Sequence, residues 1–83
     1  MSKSPNTYQN KKKTFGELIK QERESLDDYY LGEISPHTAL GLLIEEFEEV
    51  KDELLAKNII KPDLRKECSQ LAAICSRIVD DIC

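Results

Sequence analysis

The sequence predicts an all-α chain: a helical hairpin preceded by an N-terminal helix, completed into a four-helix-type bundle by association of copies. Three observations lead there. The 83 residues hold only three Gly and three Pro, so long stretches run without a breaker. Apolar residues recur at helical rather than alternating spacing, and aromatic content is 6% with no Trp. A chain this short buries only about 60–65% of its unfolded surface, so a lone copy is marginal and a second supplies missing core.

The first helix opens at Thr14, where Thr14 and Glu17 form a capping box. It is predicted to run to Tyr30, with Phe15, Leu18, Ile19, Leu26, Tyr29 and Tyr30 as its core stripe. Glu22 falls within that stripe, where a carboxylate is costly unless paired. Either the helix end is exposed there, the readier reading, or Glu22 faces a polar cavity shared with later acids. Gly32 punctuates the connection, and Ser35 followed by Pro36 marks the start of the second helix, to Lys57. His37, in its first turn, reads as structural or solvent-facing. Asp63 is predicted to start the third helix, whose stripe is Leu64, Cys68, Leu71, Ile74, Cys75, Ile78, Val79 and Ile82.

Residues 1–13 are polar and basic with no apolar period and read as a flexible arm, leaving 14–83 as the domain. Charge divides unevenly: residues 1–23 carry six Lys/Arg against two acids, residues 24–83 six against fourteen. That acidic body repels phosphates and argues against nucleic acid as a partner. No apolar run reaches membrane-span length and no signal-peptide core is present, so a cytoplasmic location is expected. Cys68 and Cys75 lie about 10.5 Å apart on one helix, too far for a disulfide. With Cys83 they are expected as buried, reduced thiols.

The chemistry-bearing stretch is "LLIEEFEEVKDELL", residues 42–55. Its apolar face is predicted as Leu40, Leu43, Ile44, Phe47, Val50 and Leu54. Glu46, Glu49 and Glu53 share one stripe at the core boundary, and Glu45, Glu49 and Asp52 the next. Like charges three or four apart cost about 0.2–0.5 kcal/mol per pair. On the third helix Glu67 and Gln70 occupy one flank that continues through Arg77 to Asp81. If the hairpin packs stripe to stripe, Glu46 and Glu49 meet Glu67 and Gln70 and offer oxygen ligands to a divalent cation such as magnesium. For an acidic helix taken alone, a solvated face is the commoner explanation.

The segments "SPHTALGLLIEEFEEVKDELL" and "LRKECSQLAAICSRIVDDI", residues 35–55 and 64–82, resemble the MazG-like branch of the all-α nucleoside triphosphate pyrophosphohydrolases. That superfamily carries Glu-x-x-Glu on one helix and Glu-x-x-Asp on the next. Glu46 to Glu49 matches the first pair; Glu67 to Gln70 stands at the second. The resemblance implies a homodimer or homotetramer that cleaves a nucleoside triphosphate to monophosphate and pyrophosphate with Mg2+ or Mn2+. It implies Glu46, Glu49, Glu67 and Gln70 as metal ligands, with Glu46 and Glu49 also catalytic. Glu45, Glu53, Asp81 and Glu22 are accessory candidates, and Arg77 a candidate for substrate phosphate, although an i,i+4 surface pair with Asp81 suits it better. Gln70 departs from the pattern: a neutral amide ligates through its carbonyl oxygen but brings no charge and is no general base. The alternative is a non-catalytic module of the same fold with a degenerate site, serving self-association or partner binding.

Overall fold

A computed structural model describes residues 13–83. They form three helices, α1 (Phe15–Tyr29), α2 (Pro36–Leu55) and α3 (Lys61–Ile82), with no strand among them. The described fold is therefore all-α. The arm expected over residues 1–13 lies outside the described residues except for Lys13, whose carbonyl accepts from Arg65 Nη2.

Local chemistry sets the helix starts. The Thr14 hydroxyl accepts from the Glu17 N–H at 3.1 Å while Glu17 Oε1 accepts from the Thr14 N–H at 2.8 Å, closing the capping box. At α2 the Ser35 hydroxyl accepts from the Thr38 N–H at 3.1 Å, with Pro36 in the first turn. Helix α3 begins at Lys61, two residues before the expected Asp63, because Pro62 in a first turn forfeits no helical hydrogen bond. Helix α2 stops at Leu55, short of Lys57, with Ala56 in extended backbone. Thr14→Ala is expected to cost about 1 kcal/mol in urea unfolding, the worth of an N-cap hydroxyl.

Helix α3 is central: α1 and α2 both pack along it and make little contact with each other. Its buried line is Ser69, Ala73 and Arg77, with Ile74 beside it. Small side chains at Ser69 and Ala73 let the outer helices come close. The expected stripes are corrected accordingly. On α2 the inward residues are Ala39, Leu43, Glu46, Val50 and Glu53, while Leu40, Ile44, Phe47 and Leu54 point out and are exposed. Tyr29, assigned to the core, is 78% exposed, and Val79 is also exposed. The cysteines carry no disulfide, but Cys75 and Cys83 are exposed rather than buried.

A buried cation fixes the α1–α2 connection. Arg77, 4% exposed, donates from Nε to Asp81 Oδ2 at 2.5 Å and from Nη1 to Asp27 Oδ1 at 2.9 Å. Its Nη2 donates to the carbonyls of Tyr30, at 3.0 Å, and Gly32. Asp81 Oδ2 also accepts from the Ile34 N–H at 3.0 Å, so one ion pair holds both directions of the linker backbone. Nearby, Arg23 ties α1 to α3 through Ser76 Oγ at 2.6 Å and Asp80 Oδ2 at 2.8 Å, and pairs with Asp27 within α1. Arg77→Ala leaves two carboxylates and two carbonyls without this donor. A loss of about 3 kcal/mol is expected, read as a lower urea midpoint; unchanged stability would contradict the clamp.

Candidate functional site

The gap left between α1 and α2 over α3 is a cavity of about 350 Å³. One end is lined by Glu22 from α1, Glu45, Glu46 and Glu49 from α2, and Gln70 from α3. The other is apolar and aromatic, built from Leu26, Tyr29, Tyr30, Leu42, Ala73 and Ile74, with Ser25 between. Among the described residues, no Lys or Arg lines it. The helix registers explain the division: Glu46 sits on the inward seam of α2, and Glu67 and Gln70 lie one turn apart on the facing side of α3.

The acids converge closely. Carboxylate oxygens of Glu46, Glu49 and Glu67 lie within 4.8 Å of one another. Glu46 is 8% exposed, and burial, with hydrogen bonding and charge from Glu67 and then charge from Glu49, pushes its carboxyl up to about 9. Glu49 is raised as well, first by its hydrogen bond with Glu67 and then by desolvation. One proton shared between neighbouring carboxylates relieves the repulsion when nothing else does.

The Gln70 amide sits between this cluster and Glu22. With its NH2 toward the cluster it donates to Glu67 Oε1 at 2.9 Å and Glu46 Oε1 at 3.1 Å. Turned over, it donates to Glu22 Oε1 at 3.3 Å and presents its carbonyl oxygen to the two carboxylates. The first orientation makes two hydrogen bonds to the cluster in place of the one to Glu22, and suits a cluster balanced by protons alone. The second would supply a fourth oxygen ligand.

The structure thus brings Glu46, Glu49, Glu67 and Gln70 together, with Glu45 and Glu22 on the same cavity wall. Glu22 is half-buried on that wall rather than at an exposed helix end, the less favoured of the two expectations. Glu53 lies a turn beyond Glu49 and does not line the cavity. Asp81 and Arg77 are committed elsewhere: Arg77 is buried among Asp27, Asp81 and the linker carbonyls, so its pair with Asp81 is internal and its guanidinium is not offered to phosphate. Hydrogen bonding from the Ile34 N–H, then from Arg77, holds Asp81 below the usual carboxylate range. Asp27 is likewise lowered, first by Arg23.

Sequence reasoning missed Ser25, Leu26 and Leu42 as lining. Their signal was faint, since a cavity wall shares the helical period of a core. Compared with known protein families, curated proteins and solved structures, the chain matches none.

Proposed function

We propose that the protein is a divalent-cation-dependent nucleoside triphosphate pyrophosphohydrolase of the MazG-like type, releasing a nucleoside monophosphate and pyrophosphate. One observation carries this reading: three carboxylates converge within 4.8 Å, one of them 8% exposed, beside a cavity whose lining holds no cationic side chain among the described residues. Such a cluster is costly as a structural device, since buried acids normally have a basic partner. As a ligand set it is sensible: carboxylate and amide oxygens are hard donors suited to Mg2+ or Mn2+.

The residues divide the work. Glu46, Glu49, Glu67 and the Gln70 carbonyl would hold the cation, which when bound neutralises phosphate charge. Glu49, the most exposed of the three acids, would accept a proton from an attacking water. The apolar end of the cavity, with Leu26, Leu42 and the Tyr30 ring, would take the nucleoside and turn its phosphates toward the acids. In this reading the three helices are completed into a larger bundle by association.

Gln70 favours a second reading, a degenerate module that keeps the fold without turnover, because the amide replaces a charged ligand. Pyrophosphate release from a panel of nucleoside triphosphates, with and without Mg2+, separates the two. The enzyme reading expects cation-dependent product and a loss of about 100-fold or more in Glu49→Gln with helix content intact. Cation-linked stabilisation without product would leave the module. Neither product nor stabilisation would sink both uses of the cluster.

A further inference from the structure

Two residues beside the acidic cluster look out of place when taken singly. Glu22 is a half-buried carboxylate on the cavity face of α1, in a lining that holds no Lys or Arg among the described residues. Gln70 is a neutral amide on α3, at a position where a charged oxygen would serve a cation better. The fold brings the two together from 48 residues apart in sequence, with Gln70 Nε2 donating to Glu22 Oε1 at 3.3 Å.

An amide has a donor end and an acceptor end, and its neighbours decide which way each points. The end of Gln70 that faces the cluster lies 2.9 Å from Glu67 Oε1 and 3.1 Å from Glu46 Oε1, and the other end faces Glu22. All of these neighbours are acceptors, so the amide nitrogen is contested. Without a cation the cluster offers two acceptors against the one at Glu22 and holds the nitrogen. A cation among Glu46, Glu49 and Glu67 reverses the preference, because it repels the N–H groups and attracts the carbonyl oxygen. The nitrogen, turned away, then needs an acceptor on the far side, or it is left unpaired in a cavity wall.

We infer that Glu22 is the positioning residue of the cation site: it accepts the Gln70 NH2 when a cation binds, so that the amide carbonyl is aimed into the ligand set. This rests on the cation-site reading of the cluster. The pairing also supplies charge. A carboxylate accepting from the N–H end draws electron density toward the carbonyl oxygen, which becomes a stronger ligand. The negative charge that position 70 lacks is thus held one amide away, on α1.

Three observations select this role for Glu22. The oxygens that converge within 4.8 Å belong to Glu46, Glu49 and Glu67, and Glu22 stands behind the amide rather than among them. The turn of α1 that carries Glu22 is fixed on α3 by its neighbour Arg23, which donates to Ser76 Oγ at 2.6 Å and Asp80 Oδ2 at 2.8 Å. Finally, Glu46, 8% exposed, meets acids and this amide, while no cationic side chain lines the cavity among the described residues. The buried end of the cluster is where a ligand oxygen from Gln70 would complete it.

The test is calorimetric titration of Mg2+ into the full chain and its variants. Glu22→Ala is expected to lower Mg2+ affinity by about tenfold or more with helix content intact, the usual worth of a residue that orients a ligand. In a Gln70→Asp background the same substitution should cost about threefold or less, since a contact already removed cannot be lost again. A charge acting through space, or a merely structural role, predicts equal losses in both backgrounds, and that result would overturn the inference. Nuclear magnetic resonance of the Gln70 side-chain amide reads the reorientation in the unaltered chain. Its NH2 protons should lie against the Glu46 and Glu67 side chains in chelator and against Glu22 in Mg2+. Contacts that Mg2+ leaves unchanged would overturn the inference even if Glu22→Ala does not fold. Mg2+ binding that Glu22→Ala leaves intact overturns it alone, whereas no Mg2+ binding by the unaltered chain overturns the cation site and this role of Glu22 together.

Discussion

Metal-free protein is expected to lose stability as pH rises from about 5 to about 9, and Glu46→Gln is expected to abolish most of that loss. The sign follows from proton linkage. The Glu46 carboxyl is raised from 4.5 to about 9 in the folded chain, so between those values the native state holds a proton that the unfolded state has released. Stability then falls with rising pH across the window and levels off above it. One proton contributes at most about 1.4 kcal/mol per pH unit. Water entering from the cavity screens the cluster, so a total near 2 kcal/mol is the expected scale. At pH 8 Glu46→Gln should stabilise the metal-free chain by several degrees in melting temperature and remove its response to Mg2+. The carboxylates around Arg77 act oppositely: Asp27 and Asp81 are lowered, so their contribution is present above their ordinary value of 3.8 and lost as pH falls through the lowered ones. The metal-free optimum therefore belongs near pH 5. A flat profile from pH 5 to 9, or one unaltered in Glu46→Gln, would contradict the burial of this acid.

Gln70→Asp is expected to split two properties that most substitutions move together. Without a cation, it replaces an amide that can donate to Glu67 and Glu46 with a further carboxylate in a crowded acidic gap. Loss of those bonds and added repulsion should cost about 1–3 kcal/mol. With a cation the added charge works the other way, and Mg2+ affinity should rise at least about tenfold, a gain of about 1.4 kcal/mol. Melting curves in chelator and in excess Mg2+ measure both arms. That outcome would make the native amide a compromise, tolerating the empty cluster at the expense of cation affinity. Equal shifts in the two conditions would mean that Gln70 does not face the ligand set.

Helix content, capping box and hairpin were legible because they depend on neighbours within a few residues: Thr14 with Glu17, Ser35 with Pro36, and the breaker at Gly32. The meeting of Glu46, Glu49, Glu67 and Gln70 was legible because i,i+3 spacing places each pair on one helix flank. The inward face of α2 was legible only at Leu43 and Val50. Hydrophobic periodicity marks the most apolar seam, and here that seam, through Phe47, turns outward while a carboxylate at Glu46 turns in. Periodicity cannot tell a face buried within a chain from one left for another surface. Arg77 was misplaced for a related reason: an arginine on a flank reads as exposed until linker carbonyls appear around it, and those lie some 45 residues away in sequence.

Calorimetric titration of Mg2+ into chelator-treated protein at pH 8 asks whether the carboxylate cluster is a cation site. The expected result is saturable binding with proton release, abolished in Glu46→Gln and Glu49→Gln while both variants keep their helix content. No binding, or binding that survives both substitutions, would contradict it and leave Glu46, Glu49 and Glu67 a carboxylate cluster with no cation to hold.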